Sequence, residues 1–229
     1  MGHNCLQIIP CKGGNGSEIG LKLRRLLNIT LYVALAVLSV MRVSAQSVDG
    51  DNASRYVFQL SQTVKTMGNY AVCFTVTMGE HKASGDYKVG ADRYALCLGS
   101  IEAYGDAECR YEVDTSRREM VIDRVDKSSR NILSNPLSAF DFIGEEYIAT
   151  MVSEDACRVV VKLTPRQNED GVGVVEVTVD KRTALPKRLV YKPSGESIRI
   201  DIDSIATIAD APEKFDASKY PNFEIIDFR

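Results

Sequence analysis

From Tyr70 onward, large apolar residues recur at every second position of the chain. In the segment 70–78 they alternate with small or polar residues, so an extended chain would have one strongly apolar face. Further strand-like segments follow at short intervals, at 83–89, 94–98, 108–114, 120–126, 158–163, 174–180, 189–191, 197–205 and 223–227. Turn-forming residues separate many of them. The pattern predicts an antiparallel sheet that curls into a barrel or sandwich, and the lack of crossover helices argues against parallel βαβ units.

One long amphipathic helix is predicted before the first strand. Its N-cap lies within residues 52–54, its apolar stripe is Val57, Leu60, Val64 and Met67, and Gly68 ends it.

A second, short helix is predicted where Asn135 can cap a turn that has Pro136 at its first position. Its side chains Leu137, Phe140 and Phe142 make it apolar for a connecting segment. Such a helix either plugs one end of the sheet or acts as a movable cover, and the pattern leaves both readings open.

The stretch from Leu21 to Ala45 has the organisation of a secretory signal peptide. Three basic residues at 22–25 precede an apolar run at 26–40, and Val43-Ser44-Ala45 provides the small-residue cleavage pattern. The run is shorter than the roughly 20 residues that a membrane span requires, although an uncleaved anchor remains an alternative. Cleavage after Ala45 would leave residues 46–229 as a single domain in the periplasm. Residues 1–20 form a doubtful N-terminal extension, because the true start codon is expected near Leu21.

Charge and cysteine content narrow the class of protein. The net charge is −3, and acidic residues outnumber basic ones more strongly after residue 45, which argues against a nucleic-acid partner. Cys73, Cys97, Cys109 and Cys157 lack the spacing of a metal site, and an oxidising compartment would permit three pairings. Because a domain of this size does not need a disulfide, buried free thiols are expected, with pairing as the alternative.

Catalytic groups are sparse after the signal peptide. His81 is the one histidine there, and it lies in a predicted hairpin turn without a nucleophile motif. Carboxylates are numerous, so a glycosidase-like pair is not formally excluded. However, the chain has no Trp and no ladder of aromatic residues that would stack on sugars. We therefore predict a protein that is not an enzyme and that binds no metal or cofactor.

Several motifs follow the long helix in a defined order. They are Gly68-Asn69-Tyr70-Ala71-Val72-Cys73-Phe74, Gly85-Asp86-Tyr87-Lys88-Val89 running into Tyr94-Ala95-Leu96, Gly105-Asp106 before the strand with Tyr111, Asn135-Pro136, Val161-Lys162-Leu163-Thr164-Pro165, Val177-Thr178-Val179-Asp180 before Leu185-Pro186-Lys187-Arg188, and Lys214-Phe215-Asp216. In this order they resemble the LolA family, the periplasmic carriers of outer-membrane lipoproteins in Gram-negative bacteria. The resemblance covers about residues 54–229.

The resemblance implies a mainly β fold with an α cover: an unclosed antiparallel β-barrel, or half-barrel, of about eleven strands, with an N-terminal helix and a short lid helix. It also implies a monomeric carrier that binds acyl chains of lipoproteins or another lipid. Its partners would be a releasing complex in the inner membrane and an acceptor in the outer membrane. The candidate lipid-binding residues are Val57, Leu60, Val64, Phe74, Val76, Tyr94, Leu96, Tyr111, Leu137, Phe140 and Phe142.

One departure from the family concerns the arginine that latches the cover helices. Arg93 stands near its position but is shifted and lacks the following Pro, so the latch role is not transferred to it. Two alternatives to the carrier remain: a periplasmic sensor or regulator with the same fold, and a structural β-domain with a filled core.

Overall fold

The computed structural model describes residues 48–125, 147–166, 173–192 and 197–229. One long helix and twelve strands lie in these ranges: α1 (Val48–Thr66), β1 (Tyr70–Met78), β2 (His81–Val89), β3 (Arg93–Leu98), β4 (Ile101–Asp106), β5 (Cys109–Asp114), β6 (Glu119–Arg124), β7 (Tyr147–Glu154), β8 (Arg158–Pro165), β9 (Val174–Asp180), β10 (Pro186–Lys192), β11 (Ile198–Thr207) and β12 (Glu224–Asp227). The predicted signal peptide and the predicted helix of Leu137, Phe140 and Phe142 lie outside the described residues. No helix in the described ranges is both long and apolar enough to cross a membrane.

All twelve strands form one sheet in the order β12-β6-β5-β4-β3-β2-β1-β11-β10-β9-β8-β7. Two meanders, β1 to β6 and β7 to β11, are joined by the antiparallel pairing of β1 with β11. Every pair is antiparallel except β12 with β6, which is parallel. The two end strands, β7 and β12, do not pair with each other, so the sheet is unclosed and the predicted half-barrel architecture is confirmed.

The face of the sheet that packs with α1 is called the inner face here. The strand alternation directs apolar side chains from β1 to β4 and from β8 to β11 onto this face, where they form one cluster with Ala53, Val57, Leu60 and Val64 of the helix. The helix itself lies along β7 and β8, near one edge of the sheet. The main core is therefore the space between α1 and the inner face.

A smaller cluster lies on the opposite, outer face of β4 to β6. Val113, Met120 and Ile122 pack there against Tyr220 of the segment that follows β11. That segment crosses the outer face through a short 3-10 helix, Ala217–Lys219, and ends as β12 beside β6. The C-terminal residues thus cover part of the face that α1 does not reach.

The structure differs from the sequence-based prediction at the start of the helix and at two strands. The helix begins at Val48 rather than within 52–54, and no Pro between these positions stops it. Strands β4 and β7 were not predicted. Residues Gly105 and Asp106, read as a turn, belong to β4, where the glycine pairs with Tyr94.

The expectation of free cysteines is wrong for two of the four. Cys73 and Cys97 are disulfide-bonded, whereas Cys109 and Cys157 are free. Both bonded residues lie directly opposite Asp86 in the pairing of β1 to β3, on the face of these strands that points away from the apolar cluster. Chain length alone was a poor guide to whether the fold contains a disulfide, because a single unclosed sheet buries only one face over much of its width.

The helix stripe predicts unequal effects of two substitutions. Leu60→Ala removes a side chain that is 1% exposed, and it should lower the free energy of unfolding by about 2–5 kcal/mol because it leaves a cavity. Phe58→Ala, on the same helix but 44% exposed, should change it by about 0.5 kcal/mol or less. Urea unfolding followed by circular dichroism measures both, and equal losses would contradict the packing of α1 on the sheet.

Candidate functional site

The inner face brings together seven of the residues proposed from the sequence. These are Val57, Leu60, Val64, Phe74, Val76, Tyr94 and Leu96, and each is no more than 4% exposed. All belong to the same apolar cluster. Leu137, Phe140 and Phe142 lie outside the described residues.

Tyr111 does not join this group. Its ring stacks on Phe215 on the outer face, with centroids 4.1 Å apart, and it packs with Tyr104 and Phe223. In β5 and β6 the apolar residues lie on the outer face, the reverse of β4: Tyr111 and Val113 point outward, while Arg110 and Glu112 point to the inner face. The selection of Tyr111 as part of the same apolar interior was therefore wrong.

Inner-face aromatic rings lie across glycines of adjacent strands. Phe74 pairs directly with Gly85, where a Cβ would come within 2.9 Å of the ring. In the same way, a Cβ at Gly105 would overlap the Tyr94 ring, and one at Gly173 would come within 2.7 Å of Tyr191. Glycine at these positions lets the rings lie along the sheet rather than stand up from it.

Register arranges the remaining inner-face residues of β1 to β5 in rows across the strands. One row runs through Tyr70, Val89, Tyr94, Gly105 and Arg110, each paired with the next. The adjacent row runs through Val72, Tyr87, Leu96, Ala103 and Glu112. Tyrosine and charged side chains are therefore concentrated in two neighbouring rows.

The hydroxyls of Tyr70, Tyr87 and Tyr94 are buried and accept or donate no hydrogen bond in the structure as described. Burial raises the pKa of Tyr94 to about 12 and raises the pKa values of Tyr70 and Tyr87 above their ordinary range. All three are consequently neutral at physiological pH. Leaving a buried hydroxyl unpaired costs about 1–3 kcal/mol, so each of these hydroxyls should lower the stability of the folded protein.

Charged residues occupy the β5 end of the same rows. Arg110 donates from its guanidinium to Glu112, at 2.7 Å. Asp114, which is 1% exposed, accepts hydrogen bonds from the backbone N–H groups of Ser116 and Arg117 in the turn before β6. The inner face thus changes from mainly aliphatic side chains at β8 to β11, with Tyr191 among them, through the three unpaired tyrosine hydroxyls, to paired charges at β5.

Two other residues considered in the sequence analysis, Arg93 and His81, are not part of the apolar cluster. Arg93 forms a two-point contact with its neighbour Asp92, at 2.9 and 2.7 Å. His81 is exposed at the start of β2. Within the described ranges, no group of three or more His, Cys, Asp or Glu side chains could hold a metal ion.

Sequence reasoning missed Tyr70, Tyr87, Arg110 and Glu112 as inner-face residues of the site. The alternation of β1 already places Tyr70 on the same face as Phe74, so that signal was available. The position of Arg110 and Glu112 beside the tyrosines depends on the register of β4 with β5, which no local pattern specifies.

No protein-family model matches the chain, and no curated protein matches it. Solved structures do align with it. An uncharacterized conserved protein from Thermus thermophilus is 9% identical over 77% of this chain and 99% of its own, with a TM-score of 0.49. A putative outer membrane lipoprotein-sorting protein domain from Vibrio parahaemolyticus is 9% identical over 72% and 95%, with a TM-score of 0.43. A LolA superfamily protein from Nitrosomonas europaea is 8% identical over 74% and 97%, with a TM-score of 0.36.

The class of fold follows from the topology of the chain itself. It is an unclosed, mainly antiparallel β half-barrel with a helix against its inner face, which is the architecture that the sequence resemblance implied.

The ring that lies over Gly105 predicts the effect of a single methyl group. Gly105→Ala should lower the free energy of unfolding by about 1–3 kcal/mol, because the new Cβ overlaps the Tyr94 ring. In a Tyr94→Leu background, Gly105→Ala should lower the free energy of unfolding by less, because the ring that the new Cβ would overlap is absent. A double-mutant cycle from urea unfolding measures the coupling, and strictly additive losses would show that the two residues do not contact each other.

The buried tyrosines predict a loss of stability in alkali. In the unfolded chain their pKa falls back to about 10, so above that pH the folded state holds more protons and its free energy of unfolding decreases. The contribution of Tyr94 is complete below about pH 10 and is lost as the pH rises to about 12. Burial is the main cause, Arg110 opposes it, and Glu112 and Asp106 add to it.

Urea unfolding across this pH range tests the effect. Above about pH 10, the free energy of unfolding of Tyr94→Phe should decrease less steeply with pH than that of the wild type. Near neutral pH the two should depend on pH in the same way. Identical slopes in alkali would contradict the burial of this hydroxyl.

Proposed function

We propose that the protein is an exported lipid-binding carrier or chaperone that holds the acyl chains of lipoproteins against its inner face and delivers them toward the outer membrane. The observation that carries this proposal is the continuous apolar surface formed by α1 and the inner face of an unclosed sheet. A closed or two-layered β-domain would bury such a surface permanently.

The energetics of acyl binding suit this surface. Burial of an acyl chain contributes about 0.8 kcal/mol per methylene group, so an aliphatic surface suffices for tight binding without specific polar contacts. Val161, Val177 and Ile200, each buried on the inner face, are representative of its β8 to β11 part. Exposure of such a surface in the empty protein is unfavourable, which gives α1 the role of covering it when no ligand is bound.

The amino-terminal pattern supports a place in the periplasm. Cleavage of the predicted signal peptide after Ala45 would release residues 46–229 there, with an excess of acidic residues that disfavours lasting contact with anionic membranes. A carrier between two membranes must detach from each of them. Its proposed partners are a releasing complex in the inner membrane and an acceptor in the outer membrane.

Binding and release, rather than chemistry, would define this activity. Release requires a state with lower affinity for the acyl chain, and a partner can favour that state only by binding it more tightly. The sequence resemblance to periplasmic lipoprotein carriers supports the same role.

Cargo binding is tested with one lipoprotein in two forms. The purified protein is mixed with a diacylated lipoprotein or with the same polypeptide whose modified cysteine is replaced by serine, and complexes are separated by size exclusion. The acylated form should co-elute with the carrier and the unacylated form should not, because only the former has chains to bury.

Delivery is then measured by adding acceptor vesicles to the isolated complex and following the lipoprotein into the vesicle fraction. Equal behaviour of the acylated and unacylated forms in the first step would refute the proposal. Retention of the cargo under all conditions would instead favour a sensor that binds without release.

A further inference from the structure

Three tyrosines on neighbouring strands of the inner face have buried hydroxyls without hydrogen-bond partners in the described structure. Tyr70, Tyr87 and Tyr94 are 3%, 1% and 0% exposed. Phenylalanine would fill the same space without a polar group to desolvate. Their clustering therefore requires an explanation other than packing.

The register places all three around one residue of β2. Tyr70 and Tyr94 both pair directly with Val89, from opposite sides, and Tyr87 lies two residues before Val89 on the same face. The rings of Tyr87 and Tyr94 are 6.0 Å apart. Their row neighbours Val72, Val89 and Leu96 are apolar and offer the hydroxyls no acceptor.

The chemistry of the missing partner follows from the protonation state of the three groups. Since burial raises their pKa values, they remain O–H donors at physiological pH and favour an acceptor. The charges that act on Tyr94 are Arg110, Glu112 and Asp106, and the first two form an ion pair with each other. This part of the face therefore offers hydrogen-bond donors without a net positive charge, and it suits a neutral oxygen better than a phosphate or a carboxylate.

We propose that Tyr70, Tyr87 and Tyr94 form a subsite that donates hydrogen bonds to the ester or amide carbonyl at which an acyl chain is attached. The proposal rests on the proposed function, since it assigns the head of an acyl chain to the tyrosine rows and its hydrocarbon to the aliphatic part of the inner face. Tyr94 is held in place by Gly105, over which its ring lies. A carbonyl bound there would satisfy hydroxyls that are otherwise unpaired.

The test compares two ligands of equal size. Methyl myristate and the linear alkane with the same number of heavy atoms are titrated against the purified protein, and displacement of a bound hydrophobic dye gives their affinities. The wild type should bind the ester more tightly than the alkane. Tyr94→Phe and Tyr87→Phe should each reduce the preference for the ester by roughly fivefold, which corresponds to the loss of one hydrogen bond. Both variants should keep the affinity for the alkane.

Tyr191→Phe is the matched control. Tyr191 lies on the same inner face, but its hydroxyl already accepts a hydrogen bond from the backbone N–H of Gly173, at 3.2 Å. This variant should keep the ester preference. In addition, the thermal midpoint of the ligand-free protein should rise for Tyr94→Phe, because an unpaired hydroxyl is removed, and fall for Tyr191→Phe, because a paired one is lost.

Each outcome bears on the subsite. An ester preference that survives the Tyr87 and Tyr94 substitutions, or a lower thermal midpoint for Tyr94→Phe, would overturn it. Tight binding of both ligands with no preference would overturn the subsite and leave the proposed function standing, whereas failure of both ligands to bind would overturn both.

The source of the carbonyl is identified by competition. A diacyl phospholipid and a diacylglyceryl-cysteine peptide both carry acyl esters, and each is used to displace the dye from the wild type and from Tyr94→Phe. The natural ligand class is the one that displaces the dye less effectively from Tyr94→Phe than from the wild type. Weakening for neither would overturn the assignment of the hydroxyls to acyl carbonyls.

Discussion

The pairing of β1 with β11 is the interaction on which the inner face depends. It extends from Tyr70 opposite Thr207 to Met78 opposite Ile198, and it joins two meanders whose other contacts are between neighbouring strands. Without it, the aliphatic part of the face at β8 to β11 and the tyrosine-rich part at β1 to β4 would belong to separate sheets. Because the paired residues are far apart in the chain, their association costs loop-closure entropy that the local hairpins do not pay.

Strand alternation predicts most of this architecture, and its failures have physical causes. β4 was missed because Gly105 and Asp106 are turn formers in isolation, whereas here Gly105 provides space for a tyrosine ring. β7 was missed because Ile148 and Val152 point outward and are about half exposed, which blurs the apolar alternation of an edge strand.

The site was predictable in part for the same reason. The apolar residues of α1, β1 and β3 could be assigned to one face because they all point to one core; their role in lipid binding stays a prediction. Tyr111 was misplaced because the rule that apolar residues point to the main core fails where the second face is also covered. In β5 the charged Arg110 and Glu112 face inward, and the apolar Tyr111 and Val113 meet the C-terminal segment.

A gradient of polarity along the inner face results from these placements. Aliphatic residues can bind any hydrocarbon, since apolar burial has no directional preference. Hydroxyls and ion pairs are directional, and in a region of low dielectric their arrangement discriminates more strongly between ligands than it would in water. Under the proposed function, one end of this surface would contribute affinity for the acyl chain and the other its orientation.

The C-terminal segment that covers the outer face also sets an order for folding. Tyr220 and Phe215 pack on residues of β4 to β6, and β12 completes the sheet beside β6. These residues lie far from β5 and β6 along the chain, so Val113, Met120 and Ile122 remain uncovered until the segment after β11 packs on them. Until then these three side chains form an exposed apolar patch on β5 and β6, a surface through which partly folded chains aggregate.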